Sequence, residues 1–229
     1  MFSTLVASTP WPEKPGSRSA LGPCPGTATA MGVAELASQQ KLLVVVVPSS
    51  ASAAALEREL PLFSSAPLNI LTLPDWETLP YDNFSPHQDI VSERLATFHQ
   101  LQDIATGILI VPITTLMQRT PPVHYVAGNS LVLDVGQALD SKTLIHNLTL
   151  NGYRAVDTVY EHGEYAVRGS LLDTFPMGSQ APYRIDLFDA EIETLRSFDP
   201  ETQRTINKVE SVRLLPAREF PLTEEGIRR

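Results

Sequence analysis

The stretch that most constrains the fold is residues 164–204, EYAVRGSLLDTFPMGSQAPYRIDLFDAEIETLRSFDPETQR. Pro, Gly and Asp residues divide it into short runs rich in apolar side chains. Such punctuation predicts three or four short strands joined by tight turns. The run YRIDLF at residues 183–188 is the most informative, because successive side chains of a strand point to opposite faces of a sheet.

Alternation gives this strand one ordinary core face and one mixed polar face. The core face carries Tyr183, Ile185 and Leu187. The other face carries Arg184, Asp186 and Phe188. An aromatic ring among charged side chains is not typical of a buried core, so this second face is a candidate functional surface.

The neighbouring run EYAVR alternates in the same way and places Arg168 on its polar side. If both strands lie in one sheet, Arg168, Arg184 and Phe188 form a compact patch of the residue types that anchor protein interfaces. Alternatively, the arginines pair with Glu164, Asp186 or Asp189, and the Phe188 ring is covered by a turn or bulge. In the interface interpretation, Arg184→Ala weakens docking and leaves the melting temperature nearly unchanged, whereas a large loss of stability indicates a structural ion pair.

The first half of the chain shows a different pattern. Residues 42–47 and 107–112 are continuous apolar runs, typical of strands buried on both faces of a parallel sheet. Helical patterns lie between these runs, and Ser49 is placed to cap the helix predicted at residues 50–63. Alternating helices and buried strands predict an α/β fold with three layers and a mostly parallel sheet.

After Pro121 and Pro122 the pattern changes: residues 123–133 are predicted to form a connector and a strand, residues 142–151 a helix, and residues 154–215 a run of short strands. This order predicts a smaller α+β domain with an antiparallel sheet. The expected organisation is an extended or disordered lead-in at 1–25, the α/β domain at 26–127 and the α+β domain at 128–213. A last segment, 214–229, follows the sheet, and the chain reads as part of something longer.

The charge argues for protein partners. With 26 acidic and 17 basic residues, the chain has a net charge of -9, which disfavours a general grip on nucleic acid. The single cysteine, Cys24, cannot form an intrachain disulfide. No signal peptide or membrane-length apolar run is seen, so we expect a soluble, cytoplasmic protein without a membrane partner.

Two possible sites for cofactors or metals are weak. A phosphate-binding loop would lie at residues 22–32, GPCPGTATAMG, where Gly22, Gly26 and Thr27 fit but no lysine follows. A metal or acid-base site could be imagined at Asp75, Glu77, Asp82, His87 and Asp89, but the spacing matches no known ligand set. We therefore expect no cofactor, no metal and no catalytic residue.

The loop that carries those acids also carries four apolar or aromatic side chains between them. They are Trp76, Leu79, Tyr81 and Phe84. The pattern predicts a packed loop whose acids face solvent or cap the next helix.

Three long motifs carry a resemblance to a known family. They are LPDWETLPYDNFSPHQDIVSERLATFHQL (73–101), ILIVPITTLMQR (108–119) and EHGEYAVRGSLLDTFPMGSQAPYRIDLFDAEIETLRSFDPETQR (161–204). Over essentially everything after residue 25, the sequence resembles the N-terminal, UvrB-homology region of the bacterial transcription-repair coupling factors (Mfd). This resemblance implies a degenerate helicase-like domain of the P-loop NTPase type, interrupted by a smaller domain that binds the damage sensor UvrA. Residues 214–229 would then begin the return of the α/β domain.

The resemblance also assigns roles. The family's UvrA-contacting residues fall on Arg168, Arg184 and Phe188, and we expect Glu164 and Asp186 to orient the arginines. It further implies that C-terminal domains of the full-length chain mask this face. RNA polymerase and DNA would be bound only through domains outside this sequence.

The function expected from the resemblance is non-catalytic recruitment of UvrA to stalled RNA polymerase in transcription-coupled nucleotide excision repair. The alternative is a nucleotide- or DNA-binding half of a helicase motor, which measurable affinity for ATP or duplex DNA would support. A third reading, an internal regulator that binds the rest of its own chain, uses the same face and is compatible with the first.

Overall fold

The computed structural model describes residues 14, 16–20, 22–38, 42–64, 67–79 and 82–221. Most of the predicted lead-in, Tyr81 and residues 222–229 lie outside the described residues, so the predictions made for them are not addressed. The chain divides into two compact units. The first comprises Met1–Asp75 and Asp103–Gln118, and the second comprises Trp76–Gln102 and Arg119–Arg229.

In chain order the described helices are α1 (Ala28–Ala37), α2 (Ser50–Phe63), α3 (Gln88–Asp103), α4 (Ile113–Leu116), α5 (Val123–Gly128) and α6 (Ser141–Leu150). The first strands are β1 (Leu42–Val47), β2 (Ile70–Thr72), β3 (Gly107–Pro112) and β4 (Leu131–Asp134). The later strands are β5 (Arg154–Ala155), β6 (Glu164–Arg168), β7 (Leu171–Thr174), β8 (Tyr183–Phe188), β9 (Glu191–Phe198), β10 (Thr205–Val209) and β11 (Ser211–Leu214).

The first unit contains a parallel three-stranded sheet in the order β1-β3-β2. Helix α2 begins where the sequence predicts, because the Ser49 side chain accepts a hydrogen bond from the backbone N–H of Ser52. Apolar residues of α1 and α2 form one core cluster with β1 and β3. Its buried members include Ala30, Ala34, Ala53, Leu56, Leu60, Ile108 and Ile110.

The prediction that β1 is buried on both faces is wrong. Leu42, Val44 and Val46 remain 38%, 50% and 46% exposed. Strand β1 is an edge strand, and its other side chains, Leu43 and Val45, already face the cluster formed with α1 and α2. The central strand β3 is buried along its whole length, as predicted. An apolar run alone does not tell whether a second layer covers a strand.

The second unit contains a six-stranded sheet in the order β10-β9-β8-β7-β6-β5. All its pairings are antiparallel except the short parallel pair β5–β6. Helix α6 covers one face of this sheet with Leu144 and Leu148, which share a core cluster with Ile185 and Leu195. The predicted antiparallel sheet is therefore confirmed, and the fold is α/β in the broad sense.

A small sheet formed by β4 and β11 and the helix α3 complete the second unit. Leu95 of α3 belongs to the same core cluster as Leu133 and Leu214. Helix α5 lies where the sequence predicts only a connector and a strand. With only six residues, VHYVAG, this helix is too short to show a clear helical period, which explains why the pattern did not reveal it.

A buried ion pair ties the segment after the last strand to α3 within the second unit. Arg94 is fully buried, and its guanidinium donates to both carboxylate oxygens of Glu219. The Trp76 indole N–H donates to the same carboxylate at 2.8 Å, and its ring lies 4.8 Å from the guanidinium carbon. Hence α3 and residues 214–221 belong to the second unit, whereas the sequence assigns them to the α/β domain.

Candidate interaction surface

The face of the six-stranded sheet opposite α6, called the open face below, carries the residues that the sequence singled out. Antiparallel pairing sets Asp173 of β7 between Ala166 of β6 and Arg184 of β8. Directly paired residues share a face, so Asp173 and Arg184 stand side by side on it. Strand alternation adds Arg168 and Phe188 to the same face. The structure thus brings the three predicted contact residues onto one surface.

A buried carboxylate holds the two arginines. Arg184 donates from Nε to Oδ1 of Asp173 at 2.7 Å and from Nη2 to Oδ2 at 2.8 Å, a bidentate arrangement. Arg168 donates to the same carboxylate through Nη2. The Asp173 side chain is 0% exposed, whereas those of Arg184 and Arg168 are 16% and 47% exposed. The pKa of Arg184 is raised, mainly by its hydrogen bond to Asp173.

An aromatic ring fixes Arg184 from a second side. Its guanidinium carbon lies 4.9 Å from the centre of the Phe198 ring, within the range of a cation-π contact. Phe198 is fully buried in a small apolar cluster with Val159, Ala166 and Phe175. Arg184 is therefore held in one orientation by two independent contacts, and it is preorganised for a partner.

Phe188 lies at the end of the same strand and is 66% exposed. It is the last residue of β8 before the tight turn formed by Asp189 and Ala190, which have φ values of 47° and 65°. With a strand rise of 3.3 Å per residue, it lies roughly 13 Å along the strand from Arg184. A largely exposed aromatic ring on the same face as two arginines held by a carboxylate is the composition of an interface anchor.

The two predicted orienting acids have other partners. Glu164 pairs with Arg154 and accepts hydrogen bonds from the backbone N–H groups of Tyr160 and Glu161. Asp186 pairs with Arg196 of β9 at 3.1 Å. The structure gives the orienting position to Asp173, which sequence reasoning missed. Its signal was the carboxylate inside the apolar run LLDTF, at a position that alternates with Leu172 and Thr174.

The Glu164 carboxylate closes the loop that precedes β6. Burial on its own would raise the pKa of Glu164, but the two backbone donors and Arg154 outweigh it, so the pKa is lowered. Glu164 is only 5% exposed, and its carboxylate ties the loop at Tyr160 and Glu161 and the edge strand β5 to β6.

Two of the acids singled out between residues 75 and 89 are engaged by other side chains. Asp75 accepts from Thr114 and Gln118, and Asp89 pairs with His162 and His87. Among the residues that the structure describes, no three His, Cys, Asp or Glu side chains are placed to hold a metal ion.

The expected packing of that loop is partly wrong. Trp76 packs inward, but Leu79 and Phe84 are 77% and 78% exposed. The backbone turns at Glu77, which has a φ of 57°. No helix in the described part of the chain is long and apolar enough to cross a membrane.

Comparison with known proteins identifies the domain that carries this face. The family described as the UvrB interaction domain matches residues 131–220, which include all of β4 to β11. Arg168, Asp173, Arg184 and Phe188 all lie inside the matched range.

Curated relatives match nearly the whole chain. The transcription-repair-coupling factor of Escherichia coli strain K12 is 49% identical over 94% of the chain, and that of Haemophilus influenzae is 48% identical over the same share. The factor of Staphylococcus aureus strain Mu50 is 32% identical over 90%. The chain spans about one fifth of these relatives' length, 19% of the first two and 18% of the third.

Proposed function

The chain belongs to the transcription-repair coupling factor family, and on this premise we propose that it is a recruitment module whose open sheet face docks on UvrA. The single observation that carries the proposal is the arrangement of Arg168, Arg184 and Phe188. Two arginines are held by one buried carboxylate, and an exposed aromatic ring lies on the same face, all within the matched UvrB interaction domain.

The geometry suits recognition of a protein surface. Arg184 and Arg168 keep N–H groups that Asp173 does not use, because a guanidinium has five donors in a rigid fork. These can form charge-assisted hydrogen bonds with acids or carbonyl groups of a partner. Phe188 would supply the apolar area that becomes buried on docking.

The proposed role in the cell is the one that the family resemblance implies. By holding UvrA, the module would deliver it to stalled RNA polymerase in transcription-coupled nucleotide excision repair. Contacts with the polymerase and with DNA, and the ATP-dependent translocation of the full-length factor, would belong to parts of the protein outside this chain. The first unit would act as a degenerate helicase-like support, since no lysine follows Gly26 where a phosphate loop needs one.

A second consequence of the proposal concerns regulation. If C-terminal domains of the full-length protein mask the open face, they compete with UvrA for the same arginines and ring. The apparent dissociation constant for UvrA would then equal the intrinsic one divided by the fraction of molecules whose face is unmasked.

A direct test is a pull-down of UvrA by this chain, beside an Arg168→Glu, Phe188→Ala variant whose fold is checked by circular dichroism. Retention by the parent and loss in the folded variant would support the proposal. Equal retention by both would place the binding surface elsewhere.

A further inference from the structure

A row of three cations starts at Arg184 of the proposed patch and continues across the open face. The register pairs Arg184 of β8 with Arg196 of β9, and Arg196 with Lys208 of β10. Directly opposed residues share a face, so all three side chains stand on the side away from α6. With strands about 4.8 Å apart, the row is roughly 10 Å wide and ends on the edge strand.

The positive charge of the row is compensated unevenly. Arg184 is engaged by Asp173, and Arg196 donates to Asp186 at 3.1 Å and to Thr194 at 2.9 Å. Lys208 is exposed and makes no salt bridge within the part of the chain that the structure describes. The net charge at the end of the row is therefore positive.

The pair with buried Asp173 gives Arg184 a structural role, but it does not account for the further cations on β9 and β10. Like charges directly opposite one another in a sheet are unfavourable. The whole chain has a net charge of -9, so cations at these positions do not simply reflect a basic composition. A chain that is acidic overall but keeps an exposed, uncompensated cation at the end of this row has its charge separated in the way that electrostatic docking requires.

We propose that Arg196 and Lys208 extend the docking patch across β9 and β10 and face an acidic surface of the partner protein. This inference rests on the proposed function, because the partner assigned to the row is UvrA. Within the row, Arg196 would make short-range contacts, since it is already oriented by Asp186. Lys208 would act mainly through attraction at a distance, which speeds association and weakens as salt screens it.

A protein partner fits the face better than nucleic acid. Two carboxylates, Asp173 and Asp186, lie among the cations and would repel phosphates. The exposed ring of Phe188 lies on the same face. The net charge of the chain also opposes a polyanion.

The test uses Lys208→Glu, with Lys142→Glu as a matched control. Both variants change the charge by the same amount, but Lys142 is an exposed residue of α6, which covers the opposite face of the sheet. Association with UvrA is followed by stopped flow and by titration at about 50 mM and about 300 mM salt. For Lys208→Glu we expect an association rate constant about tenfold lower at low salt, a smaller effect at high salt and an unchanged melting temperature.

The outcomes separate this inference from the proposed function. If Lys208→Glu matches Lys142→Glu while Phe188→Ala still weakens binding, the extension is refuted and the proposed function stands. If the parent chain does not bind UvrA, both are refuted. If the parent is retained on duplex DNA at about 150 mM salt and Lys208→Glu is not, the row binds nucleic acid, and the assignment to an acidic protein surface fails.

Discussion

Asp173 is the residue that turns two flexible arginines into a fixed pair. An exposed arginine loses much rotamer freedom when it docks, and this cost lowers affinity. In this chain Asp173 and Phe198 hold Arg184 before any partner arrives. Removing one member of a buried ion pair is costly, because the other charge is left without compensation. The interface and the fold therefore share Arg184.

Arg184→Ala should consequently reduce stability, not only binding. We expect the free energy of unfolding to fall by about 2–3 kcal/mol, since the buried Asp173 keeps only its contact with Arg168. Arg168→Ala, at a side chain 47% exposed, should cost less than about 1 kcal/mol. Urea unfolding followed by circular dichroism compares the two.

This expectation replaces the one drawn from sequence, in which the melting temperature stays nearly unchanged. Equal and small losses for Arg184→Ala and Arg168→Ala would contradict the structural role of Arg184. They would show that Asp173 can be satisfied by water or by either arginine alone.

At the scale of elements, the β8–β9 hairpin sets the position of Phe188. Its two turn residues, Asp189 and Ala190, both have positive φ, the conformation of a type I′ turn that suits the twist of paired strands. Asp tolerates this region, but Ala is strained there, because its Cβ approaches the backbone. The bulge between Asp186 and Leu187 adds local twist next to the ring.

Ala190→Gly should relieve this strain and raise the free energy of unfolding by about 0.5–1 kcal/mol. The same substitution in helix α3, Ala96→Gly, should lower it by about 1 kcal/mol. Thermal and denaturant unfolding of both variants gives the comparison. A loss of stability for Ala190→Gly would mean that the turn is not strained in solution.

The loop that precedes β6 should make stability depend on acid. Burial would raise the pKa of Glu164, but the N–H groups of Tyr160 and Glu161 and the Arg154 guanidinium bring it below its ordinary value. A depressed folded-state pKa contributes stability that is present above the unfolded pKa of about 4.3 and is lost as pH falls through the folded pKa.

We therefore expect the parent chain to lose stability below about pH 4 more steeply than Glu164→Gln, which lacks this titration. The variant should be less stable than the parent at pH 7. Unfolding measured between about pH 2.5 and pH 7 tests this, and parallel curves would contradict it.

At the scale of the whole molecule, the sequence predicted what depends on local pattern. The buried strand β3, the cap at Ser49 and the two faces of β8 follow from period and residue type, and the structure confirms them. The exposure of Val44 was missed, because the number of layers on a strand is set by distant residues. Asp173 was missed for a similar reason, since its partners come from two other strands.

The assignment of elements to units shows the same limit. Arg94 reads in sequence as one residue of an amphipathic helix, yet it pairs with Glu219. A contact between residues 125 positions apart has no local signature. The sequence grouped α3 and residues 214–221 with the α/β domain, whereas the structure groups both with the second unit. The helix α3 itself follows from its local pattern.

The measurement that tests the central claim most directly is a calorimetric titration of UvrA with the parent chain and with Phe188→Ala. Phe188 is the cleanest probe, because it is largely exposed and its removal should change the free energy of unfolding by no more than about 0.5 kcal/mol. The account predicts binding by the parent and an affinity about 30-fold lower for the folded variant, equivalent to about 2 kcal/mol. Equal affinities, or no binding by the parent, would contradict it.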